Sequence, residues 1–177
     1  LILAFEILSD EKLKLENKIK NELIYFLASC SGHFGIAGGQ YLDLSFEHKN
    51  VDEQKLIEMQ NKKTGKLFSF CCGSSAIISK KNLSTKKELS QIGLQIGLLY
   101  QIGDDLIDIK GNSKNAGKLT KKDVKRGKAT LINLLGYRKT LEFAYSVKNK
   151  LVNKIKKYGT KSSDLLESVD NIIHREM

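Results

Sequence analysis

Proline is absent from this 177-residue chain. Because proline costs about 3 kcal/mol inside a helix, its absence leaves long uninterrupted helices open and favours an all-α fold. A compositionally biased genome accounts for the same absence and for the abundant lysine. No alternating apolar–polar run of strand length occurs, and no internal repeat is found. The three cysteines, Cys30, Cys71 and Cys72, form no CxxC pair and no disulfide framework. Helical neighbours point about 100° apart, so Cys71 and Cys72 are poor joint metal ligands, and buried thiols in a reducing compartment are the expected state. His33, His48 and His174 are scattered outside any HExxH pattern, which leaves zinc hydrolysis and serine triads without support. No apolar run reaches the roughly 18 residues that span a bilayer and no signal peptide is visible, so a cytoplasmic location is expected.

Positive charge is plentiful: thirty lysines and arginines stand against twenty acids, a net charge of +10, with a pI near 9.4. Such a balance points to an anionic partner, whether nucleic acid, an acidic membrane surface or a phosphorylated metabolite. The length is enough to bury one core, and residues 1–177 are expected to form a single helical domain. The chain opens in an apolar segment, Leu1–Leu8, as if entered in mid-helix, and further sequence is expected upstream. Ser9-Asp10-Glu11 predicts a helix stop and a new N-cap, followed by an amphipathic stretch through Leu13, Ile19, Leu23, Phe26 and Leu27. Glycines interrupt or thin the helix around Gly38-Gly39-Gln40. Asp52 is expected to cap a helix running through Lys63 to Ser79, and Ser84 one reaching Ile109. A lysine-rich loop follows, then helices over 129–137 and 140–158, and a last one from Ser162 or Ser163 to Glu176.

The chemistry concentrates at Gln101-Ile102-Gly103-Asp104-Asp105-Leu106-Ile107-Asp108. On a helix, Asp104 and Asp108 lie about 6 Å apart on one face, with Gln101 beside them. Carboxylates this close repel unless a cation lies between them, and Mg2+ suits oxygen donors, retained waters and a substrate phosphate. Apolar flanks imply a buried helix, and Gly93, Gly97 and Gly103 are expected to leave room beside the acidic face. Between Lys110 and Lys128 stand eight basic residues and one acid, a local charge of +7 suited to neutralising a diphosphate. Lys118 and Lys128 each follow a glycine, which permits close backbone approach to a phosphate. Lys63-Thr64-Gly65 offers a charge with an adjacent hydroxyl. Gly38-Gly39-Gln40 with Asp43 carries little signal alone.

In this order, GGQ-x-x-D, KTG, Tyr100-Gln101 with Asp104, Asp105 and Asp108, then GK…D…GK-x-T, the motifs resemble the C-terminal portion of the farnesyl/geranylgeranyl diphosphate synthase family of trans-prenyltransferases. The likeness covers nearly the whole chain up to Leu135-Gly136. It implies an isoprenoid-synthase helical bundle around a central cavity, with isopentenyl diphosphate and an allylic diphosphate as substrates, Mg2+ as cofactor and a homodimer as assembly. Asp104 and Asp108 match carboxylates whose Mg2+ bridges to the allylic diphosphate, with Asp105 in support. Lys63, Lys118 and Lys128 match lysines on the diphosphate, and Thr64 and Gln101 match polar residues beside them. Gln40 and Asp43 match a motif lining the cavity. The implied reaction ionises the allylic diphosphate; the double bond of isopentenyl diphosphate attacks the cation and a proton is lost.

Two departures stand out. Thr130 is followed by Leu131-Ile132 where relatives often have tyrosine-proline. The family's first aspartate-rich motif, with most of the basic pocket for isopentenyl diphosphate, is absent and would lie upstream of Leu1. These 177 residues alone are therefore expected to be inactive, as part of a fuller enzyme. The alternatives are a class I terpene cyclase or head-to-head condensing enzyme, and a non-catalytic subunit or remnant pairing with an active synthase. A nucleic-acid binder fits poorly, because the basic density sits in a loop beside an acidic helix.

Overall fold

The computed structural model describes residues 1–116 and 129–174, with the backbone alone over 109–116 and at 174. Within them the chain is all-helical, without a strand. The α-helices are α1 (Ile2–Ser9), α2 (Asn17–Ser31), α3 (Ile36–Phe46), α4 (Glu53–Gln60), α5 (Lys66–Ile78), α6 (Leu83–Ala116), α7 (Leu131–Leu135), α8 (Tyr137–Ile155) and α9 (Ser163–His174). A π turn, Asn61–Gly65, joins α4 to α5, and a 3₁₀ segment, Lys156–Ser162, joins α8 to α9.

Helix α6 is the spine. It lies along α5 and packs against the π turn, α8 and α9. Ile92, Ile96, Leu98, Leu99, Ile102 and Leu106 on α6 share one core with Leu56 and Met59 of α4, Leu131 and Ile132 of α7, Leu151 and Ile155 of α8, and Val169 and Ile173 of α9. A smaller cluster of Ile19, Leu23 and Ile77 ties α2 to α5. Burying a leucine or isoleucine side chain contributes about 1.5–3 kcal/mol, so α6, with six such groups inside, fixes where its carboxylates stand.

Several predicted boundaries move, each for a local reason. Asp10 does not cap α2: its Oδ1 accepts the Lys12 amide at 2.8 Å, an Asx turn that delays the helix to Asn17. The chain breaks at Gly32–Gly35, whereas Gly38 and Gly39 lie inside α3. Asp52 caps α4 as expected, accepting from the Lys55 amide at 2.9 Å. The following helix is not regular, because a π turn occupies Asn61–Gly65. Asn82, not Ser84, begins α6; its Oδ1 accepts from the Thr85 amide at 2.9 Å and the Thr85 hydroxyl at 3.0 Å. Helix α6 then passes Ile109 to Ala116, since Gly111 weakens a helix without ending it. Gly136, at φ 82°, divides the expected 129–137 segment into α7 and the start of α8.

The helix glycines also have a different use from the expected one. A Cβ on Gly93 would lie 2.2 Å from the Phe68 carbonyl oxygen, and one on Gly97 would lie 2.6 Å from the Gly65 Cα. A Cβ on Gly103 would meet the Ile172 carbonyl oxygen at 3.0 Å. These glycines bring α6 against α5, the π turn and α9; they make no space beside the carboxylates.

Candidate functional site

Asp43, Lys63, Gln101 and Asp105, four of the residues singled out in the sequence, come together where α3, the α4–π turn junction and α6 meet. A cleft there is lined by Asp43, Met59, Gln60, Lys63, Gln101, Asp105, Ala129 and Thr130, and holds about 10 Å3, the room of a single water. The π turn sets its floor. Its signature bond runs from the Lys66 amide to the Asn61 carbonyl, five residues back. The one-residue bulge re-aims the side chains that follow, and such bulges concentrate at functional sites. Gly39 lets α3 rest directly on this turn, because a Cβ there would come within 2.2 Å of the Lys63 nitrogen and 2.5 Å of its Cα.

Two polar chains cross the cleft. Lys63 Nζ donates to Asp43 Oδ2 at 2.5 Å, the carboxylate side chain being 13% exposed and the lysine 30%. In the other chain, the Thr64 hydroxyl donates to Gln101 Oε1 at 3.2 Å. Gln101 Nε2 donates to Asp105 Oδ1 at 3.1 Å, and Gln60 Nε2 donates to Asp105 Oδ2 at 3.3 Å. Asp105 is thus gripped by an amide on each oxygen, with 7% of its surface exposed.

The acidic motif divides accordingly. Asp105 is the buried member, Asp104 is half-buried and Asp108 is exposed. The sequence pattern groups Gln101 with Asp104 and Asp108; the structure turns the Gln101 amide to Asp105, one full turn along the same helix. Gln101 and Asp104 differ in position by three, Gln101 and Asp105 by four, and periodicity alone does not choose between them. Among the described residues no three His, Cys, Asp or Glu side chains form a ready-made metal cage. A ring of three is not what Mg2+ requires, since it commonly takes one or two carboxylates and completes its shell with water and phosphate.

Gln40 stands exposed on α3, outside the cleft lining. Lys118 and Lys128, with most of the basic segment, lie outside the described residues, and nothing is added to their assignment. Gln60 is the residue that sequence reasoning missed. A signal was present: Leu56, Met59 and Gln60 form an i, i+3, i+4 stripe, so a glutamine occupies a core position of an amphipathic helix. No helix of the described residues is long and apolar enough to cross a membrane.

The Polyprenyl synthetase family model matches residues 1–172. The chain is 36% identical over 133 residues to a farnesyl diphosphate synthase of Micrococcus luteus, covering 75% of this chain and 45% of that protein. It is 33% identical over 178 residues to the farnesyl diphosphate synthase of Escherichia coli, covering 98% of this chain and 60% of the relative. Among solved structures, an FPP/GFPP synthase of Zymomonas mobilis superposes with a TM-score of 0.82 at 35% identity, over 97% of this chain and 57% of its own. A Helicobacter pylori geranyltransferase, complexed with magnesium and isoprenyl diphosphate, gives 0.79 at 30% identity, over 98% and 56%. The chain spans about half the length of the curated relatives it matches. Its helical architecture is that of these isoprenoid synthases, and the chain belongs to the polyprenyl synthetase family.

Proposed function

We propose that this chain carries one diphosphate-holding side of a trans-prenyl diphosphate synthase, which condenses isopentenyl diphosphate with an allylic diphosphate. The observation that carries the reading is the convergence of Lys63, Gln101 and Asp105 on one cleft from two elements distant in sequence, with Thr64 hydrogen-bonded to Gln101. Lys63 and Thr64 supply a cation and a hydroxyl donor to a diphosphate oxygen. Asp43 holds the Lys63 ammonium in place, and Gln101 holds the Thr64 hydroxyl. Lys118 and Lys128 belong to the same proposal as further cations on the diphosphate, and Gln40 as a residue of the cavity rim.

Asp104 and Asp108 would hold Mg2+; their all-oxygen donor set and one-turn spacing fit a hard cation that also binds phosphate. Bound there, Mg2+ supplies positive charge against the departing diphosphate. Asp105, already engaged on both oxygens, supports the helix turn that presents its neighbours. In the reaction the allylic carbon–oxygen bond breaks with its electron pair passing to diphosphate. The double bond of isopentenyl diphosphate then attacks the allylic cation, and loss of a proton restores a double bond. The protein's part is mainly electrostatic and positional. A homodimer belongs to the same proposal, supported by the exposed apolar side chains of α1, Ile2 and Leu3 among them.

Turnover of isopentenyl diphosphate with dimethylallyl or geranyl diphosphate by the full-length gene product, with and without Mg2+, tests the reading. Activity is expected only with the metal, and Asp104→Ala is expected to abolish it. Normal turnover by that variant would show the site assignment to be wrong.

A further inference from the structure

We propose that Gln60, which no motif marks, is a positioning residue: its amide N–H fixes Asp105 so that the Gln101–Thr64 chain is held ready for a diphosphate. The proposal rests on the functional reading above. Gln60 is the last residue of α4, immediately before the π turn, and is 3% exposed among Leu56, Met59 and the α6 core. Its Nε2 reaches across to Asp105 Oδ2, forty-five positions away in sequence. The other end of the amide, Oε1, is buried and has no hydrogen-bond partner among the described residues.

That asymmetry carries the argument. A buried carbonyl oxygen without a donor is costly, so a side chain whose task was to fill the core would be better replaced by an apolar one of the same shape. Gln60 has one interaction that a methionine could not make, the N–H to Asp105. Without it Asp105 Oδ2 would lose the amide that crosses from α4, and the carboxylate would be less firmly oriented towards Gln101. Gln101 and then Thr64 would follow, because each is bonded to the next. The π turn strengthens the coupling: Gln60 precedes Lys63 by three residues, so the amide that holds Asp105 and the cation facing Asp43 are set by one piece of backbone. Gln60 therefore links the two polar chains of the cleft.

The test uses Gln60→Met, Gln60→Glu and Gln60→His in the full-length gene product. Three quantities are read: melting temperature, calorimetric affinity for inorganic diphosphate in the presence of Mg2+, and kcat against KM. The Met variant keeps the length and the apolar contacts, and should melt at or above the parent temperature. Its diphosphate affinity should fall roughly 10-fold, the lower end for residues that orient a metal or phosphate site from behind. The Glu variant, setting oxygen against oxygen, should bind still more weakly. The His variant retains an N–H and should recover most of the affinity. A folded Met variant that binds diphosphate like the parent overturns the proposal, as does a His variant as weak as Met. Failure of the Met and Glu variants to fold also overturns it, by making Gln60 a packing residue. If the parent itself binds no diphosphate, the functional reading fails; if the parent binds and the variants match it, only the role of Gln60 fails.

Discussion

At the scale of single residues, burial separates side chains that the sequence places on equal terms. Asp104, Asp105 and Asp108 look alike in a helical projection, yet only Asp105 is enclosed, with an amide on each oxygen. Cys71 and Cys72 show the same division. Cys71 is exposed, whereas burial, with a smaller contribution from Cys71, pushes the Cys72 thiol up to about 11. Its folded-state pKa is raised, so the unfolded chain loses the thiol proton first. The associated stability is whole below about pH 9 and is lost as pH climbs towards 11. Two outcomes follow. Brief alkylation near pH 7.5 should modify Cys71 and spare Cys72, read by peptide mass. The urea midpoint should fall more between pH 8 and 10.5 for the parent than for Cys72→Ala.

At the scale of elements, the site depends on how closely helices approach. Gly39 seats α3 on the π turn and Gly97 seats α6 on the same turn, so Lys63 and Thr64 are pressed between two glycine contacts. Gly97→Ala would set a methyl 2.6 Å from the Gly65 Cα and 3.0 Å from Phe68 Cδ2. Backbone cannot move aside as a side-chain end can. The expected cost is about 1–3 kcal/mol of stability, measured by urea denaturation. Thr64 and Gln101 would also be parted, so diphosphate affinity should fall in the same variant. An alanine variant that keeps both stability and affinity would show that the helices adjust without strain. The glycine positions were visible in the sequence, but their purpose was not, because a glycine that makes room and a glycine that closes a gap leave the same letter.

At the scale of the whole molecule, α6 joins the core to the site: six apolar side chains face inward while Gln101 and Asp105 face the cleft. Ligand binding at the cleft should therefore stabilise the fold as a unit. With Mg2+ and inorganic diphosphate at about 100 times their dissociation constant, the gain is about 2.7 kcal/mol, a rise in melting temperature of roughly 5–10 °C. Chelation of the metal should return the melting temperature to its starting value in a thermal-shift assay. An equal rise from diphosphate without metal would assign the effect to the lysines alone.

The sequence by itself determined the helical class, the α6 spine with its inward stripe, the Asp52 cap and the order of the motifs. These are consequences of local spacing: helical periodicity and capping act within a few residues, and the motif order stands in the letters. The tertiary structure alone decided which carboxylate is buried, where the π turn falls, that Gly93 and Gly97 close gaps, and that Gln60 stands behind Asp105. The reason is physical. Burial and hydrogen-bond choice depend on partners thirty or more positions away, as Thr64 and Gln101 are, and a sequence pattern has no access to which of two neighbouring faces such a partner will meet.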